Sequence, residues 1–219
     1  MIAKIKNKLS NDIHLTELLK GSSIAFIFKI IGMILGYIFT LLIAKWYGAE
    51  TMGLYALSLT MLNIFVTIGL FGFDNSLVKF VADYNSNHKG ELVKEVYYKS
   101  LIVTTTVSLI LVYILFINAD FFAKNIFKNE ELINFFQIAS IAIVPFVLLR
   151  VNTAMFRGFK NIKLFSFFQN IMIFIFSILL LTSLYFFYNS KEVTISSQVI
   201  AIFITSIFSF ILLQKHLFK

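Results

Sequence analysis

The chain has 219 residues, 59% of them hydrophobic and only 14% charged, with one proline and no cysteine, whereas a water-soluble domain runs nearer about 45–50% apolar and about 25% charged. That excess, together with 27 phenylalanines and a mean hydropathy of +0.87, excludes a soluble domain and points to lipid. The missing cysteines exclude disulfides, zinc–thiolate clusters and thiol catalysis, and the net charge of +8 fits basic loops of a membrane protein better than nucleic-acid binding, because no basic run interleaves with exposed aromatics.

A polar N-terminal arm, residues 1–21, places Ile5, Leu9 and Ile13 at helical spacing and ends at Gly21. Two readings of it stand: an amphipathic helix lying on the membrane surface with its lysines toward anionic headgroups, and a plain soluble cap on the first span. A helix must stay apolar for about 20 residues to cross a hydrocarbon core about 30 Å thick. Six stretches meet that length, at about 22–44, 54–77, 97–118, 133–156, 164–188 and 197–213, followed by a short tail at 214–219. Their runs are continuous rather than alternating, which predicts an all-α, polytopic six-helix bundle and not a barrel. The first stretch follows a polar segment and lacks a small-residue cleavage site, so it reads as a span and not a cleaved signal peptide.

Six spans leave both termini on one side. That side carries thirteen basic residues (Lys4, Lys6, Lys8, Lys20, Lys79, Lys89, Lys94, Lys99, Arg157, Lys160, Lys163, Lys215 and Lys219), against four on the other (Lys45, Lys124, Lys128 and Lys191). The positive-inside rule makes it cytoplasmic.

Polar groups inside spans cost about 2.5–3.5 kcal/mol each when charged, so they are the informative positions. Lys29 lies one to two turns into the first span, with Gly32, Gly36 and Thr40 on its face by helical period. It reads either as a cation on a polar inner face or as a side chain snorkelling to the headgroups, while Gly32 and Gly36 form a GxxxG pair that admits a close helix neighbour. In the second span Thr60, Asn63, Thr67 and Asp74 form one stripe, with Asp74 near enough to Lys79 for an interfacial ion pair. Ser100, Thr104 and Ser108 in the third read as helix packing. The fourth contains the lone proline, Pro145, expected as a helix hinge, followed by Arg150, Asn152 and Thr153. Arg150 keeps its charge and can hold an anionic group such as phosphate through two hydrogen bonds. It reads either as a cavity cation or, if the span ends early, as part of the basic "RGFKNIK" connection. Ser166, Gln169, Asn170 and Ser177 mark a polar face on the fifth. One polar face on five of six helices suggests a hydrated interior, lined by Gly32, Gly36, Asn63, Thr67, Gln169 and Asn170 and carrying Lys29 and Arg150.

The histidines (His14, His88, His216) lie far apart and the eleven acids are scattered. That offers no metal cluster, no catalytic constellation and no Walker-type phosphate loop, so no enzyme activity, metal or cofactor is expected.

The run "FKIIGMILGYIFTLLIAKWYGAETMGLYALSLTMLNIFVTIGLFGFDNSLVKFVADY" resembles the N-terminal part of Wzx-type (O-antigen) polysaccharide flippases of the multidrug/oligosaccharidyl-lipid/polysaccharide exporter superfamily. The matching features are the basic residue three before a glycine (Lys29, Gly32), the exit Ala44-Lys45-x-x-Gly48 with Gly53-Leu54-Tyr55 after it, and the stretch Gly69, Gly72, Ser76-Leu77-Val78-Lys79-Phe80. "FRGFKNIK" (Phe156 to Lys163) resembles the basic connection between the family's fourth and fifth helices. The resemblance implies movement of an undecaprenyl-pyrophosphate-linked oligosaccharide across the bacterial inner membrane by alternating access between two lobes, with Lys29 and Arg150 facing the anionic substrate. Because such proteins have twelve to fourteen spans, it also implies that this chain equals one lobe, a truncated product being the leading expectation. The implied partners are membrane lipid, the lipid-linked oligosaccharide and a second six-to-eight-helix half or glycan assembly proteins, and not nucleic acid. A related small-molecule exporter and a non-transporting scaffold subunit are the alternatives.

Overall fold

In the computed structural model, which describes residues 13–188 and 190–217, every regular element is helical. Helix α1 runs Ile13–Leu70 and consists of two helices merged across Gly48, which alone leaves helical geometry, at φ 87° and ψ 167°. In a straight helix Phe39 and Tyr55 would stand about 24 Å apart at 1.5 Å per residue. Their rings meet edge to face at 5.6 Å. The chain therefore doubles back at Gly48, in a backbone conformation that L side chains rarely adopt, and residues 13–47 and 49–70 are antiparallel arms. The first arm passes through Gly21 without interruption, so no helix ends there. Residues 1–12, most of the predicted amphipathic arm, lie outside the described residues.

The second span was expected to reach residue 77, but the helix stops at Leu70. Phe71 (φ 49°) and Gly72 (φ 79°) are both left-handed, which ends the i→i−4 ladder and starts α2 (Phe73–Ser86). This helix buries Leu77 and Val81 and leaves Lys79 exposed. Helix α3 (Gly90–Ile117) is 28 residues long, about 42 Å, and so extends beyond the hydrocarbon at the basic end. Helices α4 (Leu132–Ile141) and α5 (Ile143–Gly158) meet at a bend of 43° and are long and apolar enough for a span only when taken together. Pro145 has no N–H to donate, and its ring crowds the carbonyl of Ile141, which is where the ladder breaks. Helix α6 (Ile162–Tyr185) starts with Asn161 Oδ1 accepting from the Leu164 N–H at 3.2 Å and widens to a π-helix at Phe167–Met172. Helix α7 spans Val193–Leu217.

Four helical runs, Gly21–Leu70, Gly90–Ile117, Ile162–Tyr185 and Val193–Lys215, are long and apolar enough to cross a membrane, and the bent α4–α5 pair makes a fifth. The two arms of α1 bring the number of crossing segments to six. Phe26, Met33, Ile34 and Tyr37 on its first arm are exposed, an apolar patch that suits lipid and not water. The centre of the bundle is α5, which packs against α1, α2, α3, α6 and α7. Its six consecutive residues Val151–Phe156 are all buried, as only a helix covered on every side allows.

Opposite the basic end, three connections are tied by charge. Lys191, just before α7, reaches Glu131 at 2.9 Å and Glu50 at 3.4 Å, and Glu192 accepts from Ser190 and, at 3.3 Å, from Asn134. The Ser190 hydrogen bond holds the Glu192 carboxyl below the ordinary carboxylate range, and the hydrogen bond to Glu131 raises Lys191. A depressed carboxylate contributes stability above its unfolded pKa and loses it as pH falls through the folded one, while a raised lysine contributes until pH climbs through its elevated value. Thermal stability in detergent is therefore expected to hold from neutral pH upward into the lysine range and to fall on acidification below the usual carboxylate range. Melting temperatures measured against pH will show a shallower acid limb in Glu192→Gln.

Candidate functional site

Arg150 is the cation most firmly built into the bundle. Helix α5 continues to Gly158, two full turns past it, so Arg150 belongs to the helix and not to the "RGFKNIK" connection. Its guanidinium carbon sits 5.4 Å above the Phe146 ring, one turn away on the same face. Nε is buried and has no hydrogen-bond partner. Burial is the main influence on its charge, with the Asp74 carboxylate at the first turn of α2 acting against it. The expected Asp74–Lys79 ion pair does not form: both residues lie on α2, where five positions apart puts them on different faces. The result is a half-buried guanidinium with donor capacity to spare and one carboxylate in range. That arrangement can hold an anionic oxygen through charge-assisted hydrogen bonds.

Lys29 is exposed on the first arm of α1. One turn on, Gly32 is buried and Gly36 half-buried, and both are covered by α6. A Cβ on Gly32 would stand 2.4 Å from the Asn170 carbonyl oxygen, and one on Gly36 would stand 3.1 Å from Phe174 Cζ. These glycines, expected to line a cavity, form a helix–helix contact instead, the close approach their spacing permits. Asn170 is half-buried and donates through Nδ2 to the Ser166 carbonyl at 3.1 Å. Gln169 beside it is half-buried as well. Asn63 and Thr67 are exposed on the second arm of α1 and bond their own helix, Asn63 Nδ2 to the Leu59 carbonyl and Thr67 Oγ1 to the Asn63 carbonyl, both at 2.8 Å. They face out of this bundle and not toward its centre.

Most of the polar groups that reach the interior satisfy one another or their own helix. Tyr97 (α3) donates to Asn152 Oδ1 (α5) at 2.8 Å, and Asn152 Nδ2 donates to Ser209 Oγ (α7) at 3.0 Å. A second group joins Ser177 (α6) to Gln198 (α7) at 2.8 Å, with Tyr55 of α1 at the 3.5 Å limit. Thr104 and Ser100 are closed by the carbonyls four residues back. The interior is thus largely bonded and packed where a hydrated one was expected, with Ser108 Oγ and Ser166 Oγ buried and left without a partner. Tyr97, Gln198 and Ser209 were not singled out in the sequence, and Tyr55 was named there only as part of a resemblance motif. A mid-span Asn152, which needs two partners in a dry environment, was the signal for Tyr97 and Ser209.

A solved structure described as an outward-facing conformation of a multidrug resistance MATE family transporter of the MOP superfamily superposes with a TM-score of 0.77, at 14% identity, over 93% of this chain and 46% of that one. The crystal structure of a MATE point mutant gives 0.75, at 14% identity, over 93% and 45%. The chain thus spans about half the length of these proteins and shares their fold. No curated protein matches it. The family model described as polysaccharide biosynthesis protein matches residues 18–219, nearly the whole chain. With that match covering nearly all of a multi-pass helical bundle, the chain belongs to the polysaccharide biosynthesis protein family.

Proposed function

We propose that this chain forms one lobe of an exporter that carries an undecaprenyl-pyrophosphate-linked oligosaccharide across the bacterial cytoplasmic membrane, with both termini cytoplasmic. The observation that carries the reading is Arg150, a cation held over an aromatic ring in the central helix with a buried, unpartnered Nε, which suits the pyrophosphate of such a substrate. Lys29, exposed on the first arm of α1, is the second cation in this scheme, and a second helical half supplies the opposing wall.

The test is export of surface polysaccharide in a strain lacking its own flippase, at matched protein levels. Arg150→Ala is expected to reduce export at least about tenfold, the consequence of losing a charge-assisted hydrogen bond of about 1.5–3 kcal/mol. Arg150→Lys should retain part of it, since the charge stays but the fork is lost. Full export by Arg150→Ala would sink the assignment. Drug export is the second reading, favoured by the multidrug transporter that shares the fold. It predicts altered drug susceptibility with unchanged polysaccharide, and a carboxylate requirement that Asp74→Asn would expose.

A further inference from the structure

A crevice of about 650 Å³ opens at the side of the bundle between α3, α5 and α7, with no residue of α1 and not Arg150 in its lining. Its walls include Tyr98, Leu101 and Thr106 from α3, Leu148 from α5, and Ile207 and Phe210 from α7. Of the polar groups along it, Thr106 Oγ1 donates to the Ile102 carbonyl at 2.9 Å and Asn152 is held by Tyr97 and Ser209, while the Thr105 and Ser206 hydroxyls add two small polar spots to an otherwise apolar wall. From Tyr98 to Thr106 the crevice runs about 12 Å along α3, close to the roughly 15 Å of one leaflet of a 30 Å core. It begins at the basic end of the bundle and closes near mid-membrane.

At that basic end Tyr98 donates to Gln214 Oε1 at 3.1 Å, which leaves Gln214 Nε2 buried without an acceptor. Gln214 lies one turn beyond Phe210 on the same face of α7, and the next residue, Lys215, is exposed. An apolar slot one leaflet deep thus ends in an unused donor and a cation.

We infer that this crevice holds one acyl chain of an anionic glycerophospholipid from the basic-side leaflet, with the headgroup accepting from Gln214 Nε2 beside Lys215. In the chain reconstituted by itself a lateral crevice has lipid as its neighbour, the match to one leaflet selects a chain that enters from one side only, and the positive rim selects an anionic headgroup.

The test reconstitutes the 219-residue chain in phosphatidylcholine vesicles and measures spin-labelled phosphatidylglycerol against spin-labelled phosphatidylcholine. Wild type is expected to immobilise phosphatidylglycerol with about a fivefold preference, the size given by one basic side chain near the surface. Thr106→Phe and Ile207→Trp fill the slot from opposite walls, and each should abolish the tightly immobilised component. Lys215→Gln should keep that component but lower the preference. Equal immobilisation of both lipids, or an unchanged signal in both filling variants, overturns the inference. Displacement by an isoprenyl phosphate at equimolar amounts also overturns it, by giving the crevice to the carrier lipid. Circular dichroism melting of each variant reports folding, and a variant that melts like wild type yet keeps the lipid counts against the site.

Discussion

Gly32→Val is expected to yield no folded bundle, and Gly32→Ala to lower the melting temperature in detergent sharply. A Cβ at Gly32 would sit 2.4 Å from the Asn170 carbonyl oxygen and 2.9 Å from Asn170 Cβ. A carbonyl oxygen cannot rotate away as a side chain can, so α1 and α6 must separate along the whole contact. Overpacking a core costs about 1–3 kcal/mol when side chains absorb it. Here backbone must move, so the effect lies at or above the top of that range. Two other glycines calibrate it. At Gly36 the nearest atom is the far end of the Phe174 ring at 3.1 Å, so Gly36→Ala should cost less. At Gly53 nothing lies within 4 Å, and Gly53→Ala in a helix interior should gain up to about 1 kcal/mol. Melting curves of the three alanine variants should rank Gly53, Gly36, Gly32 from most to least stable. A Gly32→Ala protein as stable as Gly53→Ala would remove the close α1–α6 contact.

Asn152→Leu is expected to destabilise by about 2–3 kcal/mol, and the arithmetic depends on which partner is stranded. Ser209 keeps its bond to the Ser206 carbonyl at 2.8 Å, so it loses only a donor, worth about 0.6 kcal/mol on average between membrane helices. Tyr97 is fully buried and has no second acceptor, so its hydroxyl bears the full cost of a buried unpaired group, about 1–3 kcal/mol. Removing that hydroxyl as well should therefore rescue the variant: Tyr97→Phe with Asn152→Leu should be more stable than Asn152→Leu alone. A double-mutant cycle on chemical unfolding in mixed micelles measures this, and additive losses would show that the Tyr97–Asn152 bond contributes nothing.

That the chain folds into long apolar helices was legible because hydropathy over about 20 residues is a one-dimensional property. Gly32 and Gly36 were legible too, as a close-packing pair. The boundary at Leu70 was not, because Phe71 is an apolar residue in a left-handed conformation and nothing in its chemistry marks it. The facing of polar stripes was also hidden. Thr60, Asn63 and Thr67 fall on one side of α1, but a helix carries no record of which neighbour covers it, and all three satisfy themselves on their own backbone. At the site, the cation Arg150 stood out, whereas its neighbour Asp74 depended on a change of chain direction that charge spacing along a straight helix cannot express.

The position of α5 has a mechanical consequence. A helix gripped by α1, α2, α3, α6 and α7 cannot slide past one neighbour without being checked by the other four, so shear inside the lobe is blocked. What can yield are the places where the hydrogen-bond ladder is already interrupted: Phe71–Gly72, the bend at Ala142 before Pro145, and the widened turn Phe167–Met172. Two of the three flank α5 in sequence or lie against it, so a load on Arg150 would be taken up as flexure at those joints while the helices between them stay stiff.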